Sequence, residues 1–288
     1  MRDKKIYIEK ASGEKVIFSE EKLRRSLSKA CQNRKTVDEI VESIVNGLVP
    51  GMSTQQIYTK AFDLLASISK PSAGKYKLKA AIMELGPSGY PFERYIGEIL
   101  KHQGFDVQIG QIVQGHCVNH EIDVIAIKGD KHFMVECKFH NRPGFQCDVK
   151  IPLYIQARFE DVKKQIKTLP GHSEMFHQGW VVTNTKFTGD AIQYGKCIGL
   201  NLIGWDYPDQ GSLNDLIDAS NLYPLTCLTT LTNIEKEKLL ESKIVLCKDL
   251  CNDEKILEII EISPRRIPEI MKEAIALCHD INHQKKFK

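Results

Sequence analysis

The chain has 288 residues, with 40 Lys and Arg against 37 Asp and Glu, and its net charge of +3 excludes whole-surface attraction as a reason to bind nucleic acid. Nine cysteines, an odd number with no paired spacing, exclude a secreted disulfide scaffold and point to a reducing cytoplasm. The opening MRDKKIYIEK is polar, and no apolar run nears the roughly 20 residues of a membrane span, so no membrane is expected and the length suits two or three soluble domains.

The first segment, IEKASGEKVIF followed by EEKLRRSLSKA, predicts a β-hairpin turning at Ser12-Gly13 and a helix capped by Ser19, with Glu21 and Lys22 in its first turn. Amphipathic helices follow over Val37–Leu48 and Ser53–Ser69. A basic stretch, AGKYKLKAAIMEL, then ends at the linker Gly86-Pro87-Ser88-Gly89. The letters alone describe a small α+β interaction module. The segment also resembles the ATP-cone, the nucleotide-binding regulatory domain of ribonucleotide reductases and their repressors. That resemblance implies ATP or dATP as ligand, with Lys10, Lys22 and Lys79 on phosphate-contacting positions, where cations make charge-assisted hydrogen bonds. Ala11-Ser12 departs from the arginine and acid usual after the first lysine. No G-x-x-x-x-G-K-[ST] pattern occurs, so the nucleotide is expected to regulate rather than to be hydrolysed.

Beyond the linker, PFERYIGEILKHQGFDVQIG predicts an amphipathic helix with Glu93 on its first turn, stopped at Gly104 and followed by a strand. HEIDVIAIKGDKHFMVECKFH then reads as a hairpin around Gly129-Asp130. If Lys128 faces Lys131, the constant index sum sets Asp123 opposite Glu136 and Glu121 opposite Lys138. Opposed carboxylates repel by about 0.2 to 1 kcal/mol unless a proton or cation lies between them. Hard oxygen ligands suit Mg²⁺ or Mn²⁺, and an ammonium at Lys138 suits charge developing on a phosphate. The crowd of His116, Cys117, His120, His132, Cys137, His140 and Cys147 has no C-x-x-C pair and reads as core and loop residues rather than a zinc site.

Downstream, HQGWVVTNTKFTGDAIQYGKCIGLNLIGW predicts a strand (Trp180–Thr183), a helix (Thr188–Cys197) and a second strand (Leu200–Trp205), a crossover unit in a parallel part of the same sheet. In this order the motifs resemble the Mrr-like branch of the PD-(D/E)XK restriction endonucleases, over Tyr90 to Asp215. The resemblance implies a metal-dependent endonuclease acting on double-stranded DNA, with Asp123, Glu136 and Lys138 on the signature positions and Asp123 and Glu136 as metal ligands. It places Glu93 on the assisting helix acid and Gln156 where related nucleases often carry a glutamine. Ile122 stands in place of the motif's proline, a position that supplies no ligand.

The tail, Leu225 to Asp280, is helical and resembles helix-hairpin-helix bundles that grip DNA backbone. EISPRRIPEI would be its turn, Ser263 the cap and Pro264 the first helical residue, with Glu261 where that family holds glycine. Basic runs at Lys22–Arg25, Lys75–Lys79, Lys163–Lys167 and Lys285–Lys288 read first as solvated faces. The expected fold class is therefore multidomain α+β and α/β. Its parts are residues 1–88 (hairpin plus helical bundle), 89–215 (mixed sheet flanked by helices) and 216–288 (small helical domain), in a cytoplasmic homo-oligomer. The competing expectations are a catalytically silent DNA-binding module and a nucleotide-sensing transcriptional regulator. The intact acid, acid and lysine set speaks against the first, and the absence of paired cysteines ahead of the cone against the second.

Overall fold

The computed structural model describes residues 6–10, 12–166 and 176–278; Ala11, the Lys167 end of one basic run and the whole Lys285–Lys288 run lie outside them. Along the chain come β1 (Tyr7–Glu9), β2 (Lys15–Ile17), α1 (Glu20–Ala30), α2 (Arg34–Asn46), α3 (Thr54–Ile68), α4 (Lys70–Tyr76) and α5 (Leu78–Met83). Next are α6 (Tyr90–His102), β3 (Asp106–Gln114), β4 (Asn119–Lys128), β5 (Lys131–Lys138), β6 (Gln146–Cys147), α7 (Lys150–Ile166), β7 (Phe176–Thr183), β8 (Lys186–Phe187), α8 (Gly189–Ile198) and β9 (Asn201–Ile203). The remaining elements are α9 (Leu213–Ser220), a 3₁₀ turn (Leu225–Cys227), α10 (Asn233–Glu241), α11 (Cys247–Asn252), α12 (Lys255–Ile259) and α13 (Ile267–Cys278). None of these helices is long and apolar enough to cross a membrane.

The chain packs as two compact units, the first built from residues 6–81, 225–236 and 247–278. Here β1 and β2 pair antiparallel, Glu9 facing Lys15, and Gly13 takes the turn at φ +81°. Ser19 accepts the Lys22 amide and so starts α1, while Ser53 and Gln56 form a capping box that starts α3. Leu27, Ile40, Val41, Ile57, Ala61 and Leu65 interlock as the core. Residues from the far end of the chain complete this unit. α13 packs on α4, and a Cβ on Gly74 would meet the Cys227 carbonyl at 2.9 Å, so the approach requires glycine. The Thr226 hydroxyl donates to the Ala81 carbonyl at 2.7 Å, and Lys70 pairs with Glu269.

In the tail the expected turn differs in detail. Glu261 sits at φ +65°, the left-handed conformation glycine would supply, and Ile262 N–H returns to the Leu257 carbonyl to close α12. α13 begins only at Ile267, so Pro264 is not its first residue. Residues 264–266 form a turn instead, with Arg266 N–H donating to the Ser263 carbonyl. Arg266 also binds Glu235 and the Thr230 carbonyl through its side chain.

The second unit, residues 82–224 with 237–246, holds a five-stranded sheet in the order β3-β4-β5-β7-β9. β3, β4 and β5 run antiparallel, whereas β7 joins β5 and β9 joins β7 in parallel, as the crossover pattern requires. Lys128 does face Lys131, and Gly129 at φ +62° takes the first central position of the two-residue turn. Phe159 and Val162 of α7 pack on Ile122, Met134 and Phe176, while Ile155 joins Val181, Ala191 and Leu202. Those contacts fix α7 against the hairpin that carries the acids.

Candidate active site

The β4–β5 ladder follows the expected register down to Val124 opposite Val135 and ends there, one step before Asp123 and Glu136. In place of the next backbone pair, the Cys137 N–H donates to the Asp123 carboxylate at 2.7 Å. The carboxylate thus sits where two strands part, and its direction is fixed by a backbone amide. Beyond it β5 stays paired to β7 as far as Lys138 opposite Thr183. The Thr183 hydroxyl donates to the Lys138 carbonyl at 2.7 Å. Asn184 clamps the backbone of His140, accepting from its N–H and donating to its carbonyl. The segment carrying Lys138 is therefore rigid although its side chain is exposed.

Three acids converge at this opening. Glu93, half-buried on the first turn of α6, has its carboxyl pushed up to about 7 by burial and then by the fields of Asp123, Glu121 and Glu136. Glu136 is likewise pushed up to about 7, by burial first and Asp123 second, with Arg158 pulling the other way. Burial also raises Asp123, opposed by the Cys137 amide and Arg158. The repulsion expected from opposed carboxylates is thus present, and a third acid adds to it.

Arg158 is the residue that sequence reasoning missed. It is only 9 % exposed on α7, donates to Glu136 at 2.5 Å, and places its other nitrogen on the Glu121 carbonyl. The signal was available: Arg158 falls on the same stripe as Ile155, Phe159 and Val162, and a cation on an apolar stripe needs a buried acid. Gln156, two residues earlier, bonds Glu160 on its own helix and makes no hydrogen bond to the acids.

The donor set fits a divalent cation. Asp123 has one oxygen held by an amide and Glu136 one held by a guanidinium, and the second oxygen of each takes no hydrogen bond among the described residues. Among those residues no group of three or more His, Cys, Asp or Glu is arranged to hold an ion alone. That matches Mg²⁺, which is commonly held by one or two carboxylates, with water and substrate phosphate completing its shell.

The histidines and cysteines nearby have other partners. His120 Nε2 lies 2.8 Å from Asp161, which also accepts the Cys117 N–H; these bonds hold its carboxyl far below the usual range. Cys147 Sγ lies 3.5 Å from His140 Nε2.

In the first unit, a cleft of about 290 Å³ is lined by Lys10, Phe18, Lys22, Thr54, Tyr58 and Tyr76 among others. Tyr58 and Tyr76 stack at 5.1 Å, with 14° between their planes. Lys10 pairs with Glu14 at 2.8 Å. Lys10 and Lys22 thus share one cavity, and Lys79 is not among the residues that line it.

Comparison with known proteins divides the chain in the same order. Residues 6–83 match the ATP cone domain, residues 86–208 the Mrr-type catalytic domain described as a restriction endonuclease, and residues 223–278 the AF1548-like C-terminal domain. An uncharacterized protein of Archaeoglobus fulgidus is 38 % identical over 184 residues, which are 62 % of this chain and 97 % of that protein. The crystal structure of AF1548, a protein of unknown function, shares 34 % identity at a TM-score of 0.56, covering 66 % of this chain and 98 % of its own. The MspJI restriction endonuclease bound to a 27-mer oligonucleotide is 12 % identical at a TM-score of 0.29, covering 83 % of this chain and 48 % of its own, a likeness too slight to build on.

Proposed function

The chain belongs with the AF1548-like proteins and joins an ATP cone to an Mrr-type restriction endonuclease domain, and from that premise we propose a divalent-cation-dependent endonuclease acting on double-stranded DNA under adenine-nucleotide control. The observation that carries this reading is the meeting of Asp123, Glu136 and Glu93 at the parted end of the β4–β5 ladder, with Lys138 two residues beyond Glu136.

In this reading Asp123 and Glu136 hold Mg²⁺ or Mn²⁺ against a scissile phosphate. The cation supplies Lewis-acid stabilisation and a water of lowered pKa. Lys138, on backbone fixed by Thr183, holds the attacking water and meets negative charge developing on the phosphate. Glu93 adds a third negative group, and Arg158 keeps the Glu136 carboxylate oriented from behind. Phosphate affinity rests on basic side chains. ATP or dATP occupies the cleft that holds Lys10 and Lys22, regulates the nuclease without being hydrolysed, and alters the oligomeric state. The setting is restriction of foreign or modified DNA in the cytoplasm.

The direct test incubates methylated and unmethylated plasmids with the protein, with and without Mg²⁺ and ATP. Mg²⁺-dependent cleavage that ATP alters supports the reading. Binding without cleavage under every condition would leave a silent DNA-binding module, and nucleotide-dependent binding of one promoter-like site without cleavage would leave a regulator.

A further inference from the structure

All nine cysteines are free thiols, yet four of them gather in the helical tail. Cys247 and Cys251 lie one turn apart on α11, Cys227 ends the 3₁₀ turn and Cys278 ends α13. Cys227 and Cys247 are completely buried, whereas Cys251 and Cys278 are partly exposed. The two partly exposed sulfurs lie 3.5 Å apart, on helices that pack side by side and are 27 residues apart in sequence.

We propose that Cys251 and Cys278 form a reversible disulfide site, oxidised by low-molecular-weight disulfides and reopened by thiols. A disulfide is about 2.05 Å long, so the sulfurs must close by about 1.5 Å, a displacement that side-chain rotation on two packed helices supplies. The sequence hides the pair, because the spacing that stands out is Cys247 to Cys251 on one helix, whereas the true neighbour of Cys251 is on another.

The exchange balances in two steps. The Cys251 thiol loses its proton and attacks one sulfur of the small disulfide, forming a mixed disulfide and expelling one small thiolate. Cys278 then loses its proton and attacks the Cys251 sulfur, expelling the second. Two electrons pass from the pair to the small disulfide, which takes up the two protons and leaves as two thiols. The order follows from Cys278, whose thiol is pushed up to about 12 by burial and then by Cys251, so it is the less ready nucleophile. The fields of Cys227, Cys278 and Cys251 also reach the Cys247 thiol, which burial chiefly keeps protonated and out of the exchange.

The test uses the full chain with Cys117 and Cys197, the two exposed cysteines, changed to serine to remove competing adducts. After incubation with oxidised glutathione and alkylation, non-reducing peptide mapping should find one crosslink, joining the Cys251 and Cys278 peptides. The count of alkylated thiols should fall by two. Oxidation should raise the thermal midpoint of the tail by roughly 5 °C, reversibly with dithiothreitol. Further change of Cys251→Ser or Cys278→Ser should abolish both the crosslink and the shift. A crosslink to Cys227 or Cys247, or a persistent glutathione adduct with no crosslink, would overturn the proposal. So would a bound stoichiometric zinc ion that protects all four thiols.

Discussion

Arg158 holds Glu136 at 2.5 Å from inside the fold, so the second signature acid is paired with a buried cation on the side away from the opening. Breaking a buried pair by removing one partner costs about 3 to 5 kcal/mol, and Glu136 can relieve part of that by taking a proton. Arg158→Met should therefore destabilise the cation-free protein by at most about 3 kcal/mol. Mn²⁺ should recover more stability in this variant than in the parent, because it replaces lost positive charge. Denaturant unfolding with and without Mn²⁺ measures both, and equal recovery in the two proteins would refute the role assigned to Arg158.

Asp123→Ala and Glu136→Ala should each abolish cleavage and leave DNA affinity nearly intact. Lys138→Ala should lose a factor of about 10² or more in rate if it stabilises developing charge. Parallel cleavage assays and filter binding on folded variants separate the two effects. Full Mg²⁺-dependent cleavage by both acid variants would remove the assignment.

The raised carboxyls predict a pH dependence. Glu93 and Glu136 move from the usual 4.5 to about 7 on folding, so folding takes up protons between those values. Their contribution is fully present below the unfolded value and is lost as pH rises through about 7. The thermal midpoint of the cation-free protein should fall from about pH 5 to about pH 8, and Glu136→Gln should flatten that fall. Mn²⁺ binding near pH 6.5 should release protons, since ligands must be ionised; calorimetry in buffers of different ionisation enthalpy detects this. Binding heats independent of buffer would contradict the shared site.

The two arginines of the tail should behave differently. Arg265 is exposed, whereas Arg266 is engaged with Glu235 and the Thr230 carbonyl. If the turn grips DNA, Arg265→Glu should fold normally, weaken all DNA sequences alike and lower the salt slope by about one. Arg266→Glu should instead destabilise the tail, seen as a lower unfolding midpoint. An unchanged salt slope for Arg265→Glu would leave the tail a packing domain.

In the cone, Lys10→Ala and Lys22→Ala should weaken ATP or dATP binding, and Lys79→Ala should do so far less because it lies off the cleft lining. Typical couplings of about 1 to 3 kcal/mol would let bound nucleotide change nuclease activity about 5- to 150-fold. Calorimetry and light scattering with ATP, dATP and ADP check affinity and assembly together. Binding that survives both substitutions would move the nucleotide elsewhere.

The sequence was most informative where structure is local. Period-two alternation and a Gly-Asp turn set the hairpin register, and through it the meeting of Asp123 with Glu136, from letters alone. Ser19 and Ser53 announced their helices in the same way. What the letters did not reveal depends on distant packing. Arg158 is 22 residues from Glu136, and its role follows only once α7 lies on the sheet. The start of α13 was misplaced because Pro264 looks like a first helical residue, yet Arg266 makes more bonds in a turn than it would in a helix there.

The contact of Gly74 with the Cys227 carbonyl bears on how such a gene can be cut and recombined. The nuclease segment interrupts one folding unit rather than following it, so the cone's sequence does not contain all of the cone's packing surface. A fragment ending at the Gly86–Gly89 linker would bare the side of α4 that α13 covers, and would be expected to aggregate or to recruit the tail when supplied as a separate chain. Exchange of the cone between relatives should succeed only when the tail travels with it, which makes the two ends of this chain a single heritable part.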